Sequence, residues 1–195
     1  MQHAILKKRR YFLLANAKTR FIVFTALFTA ISVILKVYLG IPVDLFGGFA
    51  KDINLSPAVI MYSGMLLGPM GGGLVGGLTD FLAWVIRPMG GYMPLFTLVN
   101  VLMGVLPALF FRKNRGQKGN YSFIKVFLVT LLNQTVCSFI LNTSILVLLG
   151  YMPAEVAYFR GLSAFLMVPL YACINFVLLR YTAKLFYSAP APSLN

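Results

Sequence analysis

The sequence predicts an all-α membrane protein, a bundle of six transmembrane helices with both termini in the cytoplasm. Hydrophobic residues make up 59% of the 195 residues and only 11% are charged, and the mean hydropathy is +0.85. No soluble domain of this length can bury so much apolar surface. We expect a basic cytoplasmic N-terminal segment (residues 1–20), a membrane domain (residues 21–187) and a disordered tail (residues 188–195).

Six apolar segments define the predicted helices, and the stretch Gly40 to Ile53 between the first two is predicted to be a loop outside the hydrocarbon. The helices are Phe21 to about Tyr38, Ala58 to Leu67, Gly71 to Ile86, Leu95 to Phe111, Phe123 to Leu149 and about Ala157 to Tyr187. The second and third are shorter than the roughly 20 residues that span a bilayer. They form either two short spans or a re-entrant hairpin, which would leave four full spans.

The net charge of +13 is explained by its distribution along the chain. Most basic residues lie in the N-terminal segment, between the fourth and fifth helices and at the C-terminal end, with no acid among them. All four acids fall in the opposite half, with the remaining four basic residues. The positive-inside rule therefore places the termini in the cytoplasm. Contact with anionic lipid accounts for the charge, so no nucleic-acid partner is expected.

A glycine-rich stretch, residues 64–98, is the most informative part of the chain. Gly72, Gly76, Asp80 and Trp84 follow one another at steps of four, and Arg87 comes three residues later. Such spacing places bare backbone on one helical face, where a neighbouring helix can approach closely. An acid within an apolar span must face protein or a wet cavity. The face is either a packing seam with one satisfied acid or a wall of a ligand cavity.

Polar residues in the later helices extend this reasoning. Thr130, Gln134, Ser138 and Asn142 form a stripe at steps of four on the fifth helix, and Asn100 and Asn175 add amides. The stripe could serve only interhelical hydrogen bonds, worth about 0.6 kcal/mol each. However, Asn142 is predicted to lie at the same outer level as Trp84, Arg87 and Arg160. These groups, with nearby tyrosines, suit a flat, polar, anionic small molecule.

Two arginines are the best candidates for a carboxylate on such a ligand. Arg87 and Arg160 both carry a guanidinium group, which binds carboxylates through two parallel hydrogen bonds. Lys36 is instead expected to snorkel at the end of the first helix.

The sequence contains no nucleophile–base set, phosphate-binding loop or paired acids, so we expect neither an enzyme nor a bound cofactor. Cys137 and Cys173 are far apart, and His3 is the only histidine. We therefore expect no metal site and inert cysteines.

The central stretch resembles the folate-type substrate-binding (S) components of energy-coupling factor (ECF) vitamin transporters. The resemblance rests on Gly68-Pro69, the glycines to Gly77, Asp80, Pro88, Gly90, Tyr92, Pro94 and Phe96-Thr97-Leu98, and it covers nearly the whole chain in length and span order. Ala26-x-x-x-Ala30 on the first helix resembles the alanine motif by which S components dock on a transmembrane coupling subunit. If this small-residue face lies inside the bundle, it is an ordinary packing contact.

The resemblance implies a subunit of an ABC-type importer in the prokaryotic plasma membrane. It would bind a vitamin, most simply folate, in an outward-facing pocket and reorient on a coupling subunit driven by two separate ATPases. We predict that the substrate-binding residues are Asp80, Trp84, Arg87, Tyr92, Asn100, Asn142 and Arg160, and that the partner-docking residues are Ala26 and Ala30. In this interpretation the glutamate tail binds Arg87 or Arg160, the pterin donates to Asp80, and Trp84 and Tyr92 stack on the rings.

Three alternatives remain open at this point. The chain could be an S component for cobalamin, pantothenate or a queuosine precursor, because the same pocket chemistry could serve them. It could also be a stand-alone secondary transporter, although it lacks inverted-repeat signals and relay residues. The third alternative is a purely structural membrane subunit.

Overall fold

The computed structural model describes residues 2–45, 49–88, 90–111, 122–151 and 157–187. These residues form six helical elements and one antiparallel hairpin. The helices are α1 (Gln2–Val37), α2 (Ser56–Leu67), α3 (Pro69–Ile86), α4 (Pro94–Phe110), α5 (Phe123–Leu148) and α6 (Ala157–Tyr187), and the strands are β1 (Ile41–Leu45) and β2 (Phe49–Ile53). Within α5 the turns are π-helical over Gln134–Leu141.

The first helix and the first loop differ from the sequence prediction. The helix begins at Gln2 and not at Phe21, because no glycine or proline interrupts residues 2–37 and the basic segment is rich in the good helix formers Leu, Ala, Lys and Arg. The predicted loop contains the hairpin, in which Ile41 pairs with Ile53 and Leu45 with Phe49. In β1, the apolar residues Ile41, Val43 and Leu45 occupy alternate positions, a pattern that favours strand. The predicted basic loop (residues 112–120) and tail (residues 188–195) lie outside the described residues.

Among the described residues, four segments are long and apolar enough to cross a membrane: Lys18–Val37, Pro69–Ile86, Phe123–Leu148 and Ser163–Thr182. The helices α2 and α4 are apolar but shorter, with 12 and 17 residues. A 12-residue helix is only about 18 Å long, well short of the hydrocarbon core. The count of six full spans and the cytoplasmic termini therefore stay predictions.

The boundary between α2 and α3 is set by Gly68 and Pro69. Gly68 has a φ of 100°, a conformation that side chains with a Cβ rarely adopt. Pro69 then occupies the first helical position, where its missing N–H costs nothing. Because the break is sharp, α2 and α3 pack against each other and both contact α4. Ten of the twelve residues in α2 are buried, so this short helix forms the centre of the bundle.

Three helix backbones meet at Gly64, Gly72 and Gly104. A Cβ built on Gly72 would lie 2.4 Å from the carbonyl oxygen of Gly104, and one on Gly64 would lie 2.0 Å from that oxygen. One turn further along α3, a Cβ on Gly76 would lie 2.0 Å from the carbonyl oxygen of Asn100. The glycine face predicted from the sequence is therefore the contact surface between α3 and its neighbours.

The small-residue face of α1 divides between the inside and the outside of the bundle. Thr25 and Thr29 are buried, whereas Ala26 and Ala30 are exposed. The two alanines lie in an outer strip with large apolar side chains, namely Ile22, Val23, Leu27, Ile31 and Ile34. Within the described residues the alanines are thus on the surface and do not serve as an internal packing contact.

Gly72→Ala should destabilise the protein, although alanine is the better helix former by about 1 kcal/mol. The new methyl group would meet the backbones of α2 and α4, which cannot move aside, and overpacking of this kind costs about 1–3 kcal/mol. Thermal unfolding in detergent measures the difference. The matched control is Gly73→Ala, whose methyl group would meet only the side-chain ends of Val105 and Val101, at 3.2 and 3.4 Å. Equal melting temperatures for the two variants would contradict this role of Gly72.

Candidate ligand-binding site

A cavity of about 550 Å³ is lined by residues of all six helices. Six of the seven predicted substrate-binding residues line it: Asp80, Trp84, Arg87, Tyr92, Asn100 and Asn142. The seventh, Arg160, lies in the first turn of α6, but its side chain is outside the described part of the chain. Asn175 is fully buried in the bundle and does not line the cavity.

Several other residues that line the cavity were not among the site residues predicted from the sequence. They include Lys36, Asn54, Phe96, Gln134, Ser138 and Tyr171. Gln134 and Ser138 belong to the predicted polar stripe, so that pattern could have identified them. Lys36 and Tyr171 carry no comparable signal, because only the packing of distant helices brings them to the cavity.

Asp80, on α3, is held in the cavity wall by groups from two other helices. Lys36 Nζ on α1 lies 2.6 Å from Oδ1. On α4, Asn100 Nδ2 donates to the same oxygen at 3.0 Å, and Thr97 Oγ1 donates to Oδ2 at 2.7 Å. The Asp80 side chain is 12% exposed and that of Lys36 is 28% exposed. Asp80 therefore ties α1, α3 and α4 together.

This network changes two expectations from the sequence. The prediction that Lys36 only snorkels is wrong, because its ammonium group pairs with Asp80. The hypothesis that Asp80 accepts hydrogen bonds from a ligand is weakened, because its carboxylate already accepts three from the protein. The interpretation of a satisfied acid fits Asp80 better, although the residue does line the cavity.

The loop after α3 folds back over the aromatic side of the cavity. Trp84 Nε1 donates to the carbonyl oxygen of Gly90 at 3.0 Å, and the rings of Trp84 and Tyr92 lie 5.2 Å apart. The hydroxyl groups of Tyr92 and Thr97 are 2.8 Å apart. Since Thr97 uses its single proton toward Asp80, Tyr92 must donate in this contact. A continuous hydrogen-bonded chain thus connects the loop to the ion pair.

Arg87 differs from the other charged residues that line the cavity. It follows the last residue of α3 and its side chain is exposed. Within the described residues it has no side-chain hydrogen bond or ion pair, whereas Lys36 and Asp80 neutralise each other. Among the described residues that line the cavity, Arg87 is therefore the charged group without a counter-charge.

The wall contributed by α5 is polar and uncharged. Gln134, Ser138 and Asn142 line the cavity, whereas Thr130, one step earlier in the stripe, is fully buried away from it. The first two lie in the π-helical segment. Segments of this kind are rare and often occur at functional sites.

Fold and site together define a multi-pass membrane protein with a small-molecule cavity inside a helical bundle. The family model for ECF-type riboflavin transporter S components matches residues 16–191. The chain therefore belongs to this family of vitamin-transporter subunits, whose members are not enzymes. This finding confirms the resemblance to ECF S components.

Two solved structures share this fold. FolT bound with folic acid is 21% identical, with a TM-score of 0.63 over 84% of this chain and 92% of that one. An S component for biotin from an ECF-type ABC transporter is 22% identical, with a TM-score of 0.69 over 87% of this chain and 93% of that one. At such identities the likeness concerns the fold alone. No curated protein matches the sequence significantly.

Breaking the ion pair from either side should destabilise the bundle. Asp80→Asn leaves the Lys36 ammonium without a counter-charge, and Lys36→Met leaves the carboxylate without one. Each change should lower the free energy of unfolding by about 1–3 kcal/mol. The double variant should lose less than the sum, with a coupling of about 0.5–3 kcal/mol.

Denaturation of the four proteins in detergent measures that coupling. Arg87→Gln serves as the control, because it removes a cation without a partner among the described residues and should change stability by less than about 0.5 kcal/mol. Strictly additive losses would show that the contact between Lys36 and Asp80 contributes nothing to the fold.

Proposed function

We propose that this chain is the high-affinity vitamin-binding subunit of an ECF-type ABC importer and that its vitamin is folate. It binds the vitamin on the outer side of a prokaryotic plasma membrane, with both termini in the cytoplasm. It then reorients on a transmembrane coupling subunit that two separate ATPases drive. Family membership supports vitamin transport and gives no support to a stand-alone transporter or a purely structural subunit.

The observation that carries the choice of folate is the guanidinium of Arg87, which has no side-chain partner within the described residues. The Lys36–Asp80 pair is neutral as a unit, so Arg87 leaves the described cavity wall with one positive charge. Folate has a glutamate tail with two carboxylates, and a guanidinium binds a carboxylate through two parallel hydrogen bonds. Trp84, Tyr92 and Phe96 supply aromatic surface for the pterin and benzoyl rings.

Riboflavin is the second candidate, and the family model favours it. Riboflavin is uncharged and has a hydroxylated chain, which suits the amides and hydroxyl groups on the α5 wall. Its affinity should not depend on a guanidinium. The effect of replacing Arg87 on affinity therefore distinguishes the two vitamins.

Arg87→Gln should weaken folate binding by roughly ten- to a hundredfold, because a charge-assisted hydrogen bond contributes about 1.5–3 kcal/mol. It should leave the affinity for riboflavin, and for a pterin without the glutamate, nearly unchanged. Isothermal titration calorimetry on the purified chain measures all three. If Arg160 shares the role, Arg160→Gln should show the same selectivity.

Arg180→Gln is the matched control for these variants. Arg180 is an exposed arginine on α6 that does not line the cavity, so its removal should leave folate binding intact. Equal losses for folate and the truncated pterin would mean that Arg87 shapes the pocket without binding the tail. If the wild-type chain binds riboflavin and not folate, the folate assignment is wrong and the second candidate stands.

The proposed docking surface is the outer strip of α1 around Ala26 and Ala30. Both alanines are exposed and lie among large apolar side chains, so a helix of the coupling subunit could approach the α1 backbone closely there. The strip lies on the outer face of α1, so docking need not obstruct the cavity.

Ala26→Trp or Ala30→Trp should abolish transport in cells while leaving vitamin binding to the isolated chain unchanged, because the added bulk blocks close helix approach. Vitamin uptake and co-purification with the coupling subunit measure the effect. Leu128→Trp is the matched control, since it adds the same bulk at an exposed position of α5. Normal uptake by both alanine variants would exclude the strip as the docking surface.

A further inference from the structure

One polar side chain in the cavity is buried and has no partner within the described residues. Gln134 is 3% exposed, lines the cavity, and its Oε1 makes no hydrogen bond. Leaving a buried amide oxygen without a hydrogen bond is unfavourable, and a bound ligand that donates to it would remove this cost.

The neighbouring residue, Asn133, is an amide that is hydrogen-bonded within the protein. Asn133 Nδ2 donates to the carbonyl oxygen of Met103 at 3.2 Å, and its Oδ1 accepts from Cys137 Sγ at 3.5 Å. Asn133 is therefore satisfied by α4 and by its own helix. Gln134 begins the π-helical segment and lines the cavity without such bonds.

Three other polar side chains of the cavity wall, those of Asp80, Asn100 and Asn54, already make hydrogen bonds within the protein. Asp80 accepts three hydrogen bonds, and Asn100 Nδ2 donates to Asp80 and to the carbonyl oxygen of Phe96. Asn54 Oδ1 accepts from the backbone N–H of Ser56. Among the described residues that line the cavity, Gln134 is thus the buried amide whose oxygen has no hydrogen-bond partner.

We infer that Gln134 binds the lactam or imide edge of the ligand's ring, and this inference rests on the proposed function. A primary amide presents an acceptor beside a donor, which complements a ring N–H next to a ring carbonyl. The pterin of folate and the isoalloxazine of riboflavin both contain such an edge. Gln134 therefore determines specificity for a class of heterocycle, whereas Arg87 responds to the charge of the tail.

The test uses folic acid, riboflavin and the analogue of each that is methylated at the ring lactam or imide nitrogen. Methylation removes the donor, so it should weaken binding to the wild-type chain about tenfold or more for whichever parent vitamin binds. Gln134→Met keeps the side-chain length and loses the amide. It should bind the parent vitamin about tenfold more weakly and show little further loss on methylation, because both changes remove the same hydrogen bond.

Thr130→Val is the matched control on the same helix. Thr130 is fully buried, its Oγ1 is also unpaired, and it does not line the cavity. This variant should keep the wild-type affinity and the full methylation penalty. A loss as large as that of Gln134→Met would assign the effect to disturbance of α5 and overturn the inference.

The remaining outcomes separate the two proposals. A wild-type chain that binds a methylated analogue as tightly as its parent overturns the role of Gln134, even if Gln134→Met does not fold. So does a Gln134→Met variant with unchanged affinity. A wild-type chain that binds neither folic acid nor riboflavin overturns the vitamin assignments, and the role of Gln134 falls with them.

Discussion

The direct contact between the backbones of α3 and α4 at Gly72 and Gly104 determines the geometry of the cavity wall. Because a Cβ at either glycine would collide with the other helix, the two helices are as close as their backbones allow. Two turns further along α3, Asp80 therefore lies within hydrogen-bonding distance of Thr97 and Asn100 on α4. If the two helices were further apart, the short side chains of Asp80, Thr97 and Asn100 could not form hydrogen bonds across the interface.

The close approach also permits a carboxylate inside an apolar bundle. An isolated charge there would be costly, but Asp80 receives one ammonium and two neutral donors. The ammonium comes from α1, the helix whose outer strip contains Ala26 and Ala30. One helix thus contributes both to the cavity wall and to the surface proposed for docking.

Local patterns in the sequence predicted much of this arrangement, and contacts between distant residues account for the rest. The four-residue spacing from Gly72 to Trp84 lies within one helix, so the sequence alone predicts that these residues share a face. The partner of Asp80 is 44 residues away, and the choice of Lys36 depends on how α1 packs against α3. The π-helical turns of α5 likewise have no counterpart in the spacing of residues along the sequence.

The distribution of satisfied and unsatisfied groups indicates where ligand specificity arises. The Lys36–Asp80 pair has no net charge and its donors and acceptors face each other, so it can discriminate little between vitamins. The two groups that lack a partner within the described residues differ in chemistry: Arg87 at the end of α3 carries charge, and Gln134 on α5 offers a neutral amide. Under the proposed function, a ligand gains full affinity only when it complements both, because each group left unpaired in the complex lowers the affinity. A tail with a carboxylate and a ring with a lactam edge satisfy both requirements, which is the combination that folate provides.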